Sequence, residues 1–145
     1  MTTEWAQLPN AKYIDLVLAD LKANPDHWTR ARDAAWHIIP IAVRVSAKDT
    51  VWSSNRTYRR AAKDATWEAA SQHAVDGNID PNAFQHNWAA ARAASWDATL
   101  ALIAYDDCAY LLNAKIEYVQ MIALLGNPAA IMLYPACIAL NLVDR

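Results

Sequence analysis

The chain is expected to fold as an all-α, single-domain bundle of about five to seven helices, and three observations carry that expectation. Thirty-one of the 145 residues are alanine, the strongest helix former, and only two are glycine. So few glycines cannot supply the φ > 0 turns of a many-hairpin β fold, nor a phosphate-cradling glycine loop. Period-two alternation never extends beyond four residues, so no strand candidate survives. With 55% hydrophobic and 19% charged residues, the chain has ample material for a core and is not disordered.

Prolines and Asx residues punctuate the elements. After Pro9-Asn10, the stripe Ile14, Val17, Leu18 and Leu21 marks a first amphipathic helix ending at Asn24-Pro25. Asp26 is placed to cap a second helix carrying Trp28, Ala31, Ala35, Trp36 and Ile39, which Pro40 stops or kinks. Residues Ile41 to Val45 read ambiguously. Ser46-Ala47-Lys48-Asp49 has capping-box spacing, with Asp in place of Glu, and is expected to open one long helix through Trp52, Tyr58 and Trp67 to about Val75. Asp76-Gly77-Asn78 ends it, and Asp80-Pro81 opens a fourth helix through Trp88 and Trp96 to Leu100, Leu102 and Ile103. Asp106-Asp107 interrupts the apolar stretch. Helical pattern resumes from Cys108 through Leu112, Ile116, Val119 and Leu124 to a stop at Gly126, with a break near Asn113, and Asn127-Pro128 starts the last helix. Residues 1–145 thus read as one domain: an N-terminal helix (1–25), a Trp/Arg region (26–105) and apolar C-terminal helices (106–145).

The Trp/Arg region repeats itself. Arg32-Asp33-Ala34-Ala35-Trp36, Lys63-Asp64-Ala65-Thr66-Trp67 and Arg92-Ala93-Ala94-Ser95-Trp96 are three versions of a basic-x-Ala-small-Trp pentad, 31 and 29 residues apart. A period near 30 residues admits stacked helix-pair repeats as an alternative arrangement of the bundle. Two copies extend backwards, giving the triplets Trp28, Arg32, Trp36 and Trp88, Arg92, Trp96 at i, i+4, i+8, while Arg59 replaces the first tryptophan of the middle copy. Each triplet spans about 80° of helix surface, which sets a guanidinium between two indoles. Either the indoles fill helix grooves opposite alanines while the arginine stems snorkel out, or the ladders face one cleft and offer stacking surfaces and cations to a planar anion. Within the expected long helix, Trp52, Arg56, Arg59, Arg60, Lys63 and Trp67 share one face. Six of the 13 basic residues lie between Arg44 and Lys63, against Asp49 alone. Such a concentration suits a phosphate or an acidic protein surface, or is simply a solvated face.

Elsewhere the chemistry is sparse. Net charge is −2 and the sequence pI about 6.0, so no global field draws the chain to long nucleic acid or to an anionic membrane, and any anion site is local. Two cysteines in apolar helical context fit reduced, core-filling thiols and a cytosolic location. The acid in Met1-Thr2-Thr3-Glu4-Trp5 is unlike a secretory leader, and Ile131 to Val143 is shorter than the ~20 residues of a membrane span. No histidine pair has the spacing of a helical zinc site, and no nucleophile elbow occurs, so neither metal nor cofactor is expected. Asp106 and Asp107 stand between two apolar runs, which implies that at least one is buried against Arg32, Lys63 or Arg92, or against a ligand.

Alanine-rich helices studded with Arg/Lys-x-Ala-x-Trp, the run Leu100-Ala101-Leu102-Ile103-Ala104-Tyr105-Asp106-Asp107-Cys108-Ala109-Tyr110-Leu111-Leu112, and Leu125-Gly126-Asn127-Pro128-Ala129-Ala130-Ile131 with Leu133, Pro135 and Ala136 together resemble the small helical immunity proteins of the Imm-5-like type, found also in phage genomes. The resemblance covers roughly Trp28 to Leu140. It implies an all-helical, non-catalytic neutraliser of a toxin or a defence component. The expected function is therefore binding in bacterial or phage conflict, through a site of Trp28, Arg32, Trp36, Arg56, Arg59, Lys63, Trp67, Trp88, Arg92, Trp96, Asp106 and Asp107. Its partner is either a toxin or defence protein, or a nucleotide-like immune signal that the protein sequesters. Competing readings are a small hydrolase-type enzyme using Asp106, Asp107 or His37, and a structural or adaptor protein with every tryptophan in its core. The apolar last helix and many aromatics make a homo-oligomer plausible.

Overall fold

A computed structural model describes residues 5–52, 56–76, 81–105 and 107–143, with side-chain surroundings for 5–52, 58–69, 89–105 and 107–140. Among them are seven α-helices, a short 3-10 helix and no strand: α1 (Ala11–Ala23), α2 (Pro25–Ile38), α3 (Ile41–Trp52), α4 (Arg56–Asp76), α5 (Pro81–Ala104), the 3-10 helix (Ala109–Asn113), α6 (Ile116–Leu124) and α7 (Pro128–Val143). None of the described helices is long and apolar enough to cross a membrane.

Two helices form the centre. From Ala129 to Cys137 every residue of α7 is buried, as are Ala90, Ala91, Ala94, Ser95 and the run Asp97 to Leu102 of α5. A helix that is apolar on every side has to be surrounded, and these two are. Helix α7 packs on α2, α3, α5, α6 and the 3-10 helix, while α5 packs on α1, α2, α3, α4 and α7. Contacts such as α2 with α7 and α1 with α5 join helices distant in sequence, so the architecture is a bundle and not a linear array whose units touch only their neighbours.

The helix boundaries have local causes. Pro40 forces Ile39 into extended backbone (φ −88°, ψ 123°) and so ends α2. The same proline opens α3, because its carbonyl accepts from the N–H groups of Val43 and Arg44. Two expectations are thereby corrected. Ser46 does not cap a helix; it lies within α3, where its carbonyl accepts from Thr50 Oγ1 at 3.0 Å. The expected long helix is two, α3 and α4, with the junction at 53–55 outside the described residues. At the other end Gly126 takes φ +95° and closes α6: its N–H donates to Ala123 and that of Asn127 to Ile122, both at 3.0 Å. Asn127 then caps α7, its Oδ1 accepting from Ala130 N at 3.1 Å. Asn10 serves the C-terminus of α5, donating from Nδ2 to the carbonyls of Leu102 (3.0 Å) and Tyr105 (2.8 Å).

Candidate ligand-binding site

The basic-x-Ala-small-Trp pentads fall on α2, α4 and α5, and the small residue before each tryptophan is buried: Ala35, Thr66 and Ser95. Thr66 and Ser95 satisfy their hydroxyls in the same way, each donating to the carbonyl of its own pentad's basic residue, Lys63 (2.8 Å) and Arg92 (3.0 Å). With that position turned into the bundle, the following tryptophan is carried to the rim of the helix–helix contact. Trp36 and Trp96 are half-buried and Trp67 is 50% exposed.

The cations stack on these indoles between helices rather than along one helix. Arg44 of α3 lies 4.8 Å over the Trp36 ring of α2, Arg59 of α4 lies 4.9 Å over Trp52 of α3, and Arg92 of α5 lies 4.5 Å over Trp67 of α4. Each helix thus covers an indole of the helix before it with its own guanidinium. The relay closes where Trp96 of α5 meets Trp52 edge to face, with ring centroids 5.9 Å apart and planes at 83°. Within α3, Arg44, Lys48 and Trp52 stand at i, i+4, i+8, so the ladder spacing expected on α2 and α5 recurs on a third helix.

Asp97 follows Trp96 on α5 and is only 5% exposed. Its Oδ1 is 3.8 Å from Lys48 Nζ, longer than a hydrogen bond, and accepts no hydrogen bond among the described residues. Burial pushes its carboxyl up to about 6, against the opposing attraction of Lys48 and Arg32. Buried guanidinium nitrogens Arg32 Nε and Arg44 Nε are likewise without a hydrogen-bond partner among the described residues. Buried polar groups are as a rule satisfied, so one acceptor on α5 and two donors on α2 and α3 left open are a deficit that a ligand can fill.

The expected site is thereby partly assembled and partly revised. Arg32, Trp36, Arg59, Trp67, Arg92 and Trp96 belong to the α2–α5 cluster, and Arg44, Lys48, Trp52 and Asp97 join them. Lys63 is exposed on α4. Trp28 leaves the site: it is fully buried and its Nε1 donates to Asp20 Oδ2 at 2.7 Å, tying α2 to α1. Arg56 and Trp88 fall among side chains outside the described residues, as does Asp106. Asp107 is exposed, because the chain leaves α5 at Ala104 and places it in the turn beyond. About 10 Å of helix separate Asp97 from that end of α5, and of Asp97 and Asp107 it is Asp97 that is buried. A small cavity of about 200 Å³ adjoins Asp107, Tyr105, Tyr110 and Asn127, but His37 does not line it. A second, of about 230 Å³ between α1 and α4, is lined by Leu18, Lys22, Glu68 and alanines. The signal for Asp97 was present in the sequence as the lone charge in the otherwise uncharged stretch from Ala93 to Tyr105.

Both thiols are core groups. Cys108 Sγ donates to Ala101 O and Cys137 Sγ to Leu111 O, and burial pushes the Cys137 thiol up to about 12, out of reach of thiolate chemistry near neutrality. No family model, no curated protein and no solved structure matches the chain.

Proposed function

We propose that this protein is a non-catalytic binding protein that sequesters a planar, anionic small molecule of nucleotide type in the α2–α5 cluster. The observation that carries the reading is the relay of three guanidinium–indole stacks on consecutive helices, two of whose indoles are exposed, Trp52 at 39% and Trp67 at 50%. An indole covered on one face by its own arginine still offers surface to an aromatic base, and base–aromatic stacking contributes about 1–3 kcal/mol per base. The guanidinium groups of Arg32, Arg44, Arg59 and Arg92 supply charge-assisted donors for phosphate. Both kinds of group are held in place by helices rather than loops, which lowers the ordering cost of binding. In the setting that the Imm-5-like resemblance implies, such capture would neutralise an immune signal in the cytoplasm of a bacterial cell by removing it from solution, without chemistry.

The test is a titration of tryptophan fluorescence with a panel of mononucleotides and cyclic dinucleotides, with the ligand recovered and chromatographed afterwards. Quenching with intact ligand, weakened at least tenfold in Arg92→Ala at unchanged helical circular dichroism, supports sequestration. Turnover of the ligand, or the absence of any response across the panel, overturns it.

A further inference from the structure

Resting on that reading, we propose that Asp97 reads the base of the bound nucleotide and that the preferred base is guanine, whose N1–H and 2-amino group form a donor pair on one edge. The geometry sets the requirement. Asp97 Oδ1 is buried, accepts no hydrogen bond among the described residues, and follows Trp96 in sequence within the cluster that Trp96 and Trp52 close. A carboxylate accepts only, so its complement is a ligand edge made of donors. The charged groups that act on Asp97 or stack on the indoles among the described residues are cationic: Lys48 and Arg44 on α3, Arg32 on α2, Arg59 on α4 and Arg92 on α5. A cationic ligand is repelled by that surround. A neutral base with two N–H groups joined to an anionic phosphate fits both parts at once. Among the common bases guanine presents such a pair, whereas adenine offers an acceptor at N1.

The route to Asp97 lies past Lys48. Its side chain is 47% exposed and its ammonium stands 3.8 Å from the carboxylate, an ion pair long enough to open at little cost. Swinging it aside exchanges one solvated cation for two directed N–H donors and frees the ammonium to meet phosphate. The raised carboxyl of Asp97 agrees with a charge that its own protein partners under-compensate.

The experiment is isothermal titration of the wild-type protein with GMP, IMP and AMP at pH 7.5, repeated with Asp97→Asn and Lys48→Ala. The proposal expects GMP to bind at least tenfold tighter than AMP, with IMP, which keeps N1–H and lacks the amino group, between them. Asp97→Asn should lose most of the GMP preference while AMP affinity changes less than threefold, and Lys48→Ala should retain the order GMP, IMP, AMP. The wild-type ranking decides the matter even if a variant fails to fold. Equal affinity for the three nucleotides, or an unchanged GMP preference in folded Asp97→Asn, overturns base reading and leaves sequestration standing. Absence of binding by all three, and by the wider panel above, overturns both.

Discussion

Asp20 and Asp97 are both buried carboxylates beside tryptophans, and they have opposite fates. Asp20 accepts from Trp28 Nε1 at 2.7 Å and from Asn24 Nδ2 at 3.0 Å, so its charge is spread over directed hydrogen bonds and the contact locks α1 to α2. Asp97 has a lysine at 3.8 Å and an oxygen with no hydrogen bond among the described residues. The first arrangement is complete without a ligand. The second costs stability as it stands, and a buried charge that costs stability is the usual mark of a site shaped for something other than folding. The difference teaches how to divide the tryptophans: Trp28 belongs to the core, and Trp36, Trp52, Trp67 and Trp96 to the surface of the cluster.

The largest expected effect breaks the settled region. Trp28→Ala removes a fully buried indole and strands Asp20, and should lower unfolding free energy by about 3–5 kcal/mol in chemical denaturation. Next comes Asp97→Asn, with the opposite sign. Because the folded carboxyl is held near 6 and the unfolded one near 3.8, the folded state binds the extra proton between those values. The contribution of Asp97 to stability therefore falls as pH rises from about 4 to 6. That fall amounts to about 3 kcal/mol, and Asp97→Asn should abolish this slope and be the more stable protein at pH 7. Trp52→Ala loses one guanidinium stack and one edge-to-face pair, about 1–2 kcal/mol, yet should weaken nucleotide binding more than tenfold. Smallest is Gly126→Ala, about 1 kcal/mol, because the position needs φ +95° although space is open around it. Each stability change is read from denaturant curves of the purified variant.

How far the sequence could be read follows from which signals are local. Pro25, Pro40, Pro81, Gly126 and Pro128 act within a few residues of themselves, and the helix ends they mark stand where the punctuation placed them, except that α2 opens at Pro25 after Asn24, so Asp26 lies in its first turn and does not cap it. The start of α3 escaped because Ser46-Ala47-Lys48-Asp49 imitates a cap while the real start, after Pro40, runs into the β-branched Ile41, Val43 and Val45. Most of the cluster's residues were identified by their i, i+4 spacing, but that spacing speaks only of one helix. The stacks form between helices, which depends on how α2 to α5 pack. Asp106-Asp107 drew attention as a doublet, whereas the single Asp97 was hidden among alanines, and only the packing of α5 shows that it is the buried acid.

Both halves of the comparison can be read in one spectrum. In a proton–nitrogen correlation spectrum the indole N–H signals of the seven tryptophans are resolved from the backbone, and titration with GMP reports on each assigned ring separately. The signals of Trp52, Trp67 and Trp96 should move with saturating binding, while those of Trp28 and Trp5, buried and bonded to Asp20 and Asp15, stay in place. Movement of Trp28 together with stationary Trp52 and Trp96 would contradict the assignment of the α2–α5 cluster as the ligand site, and no movement at all would contradict GMP as its ligand.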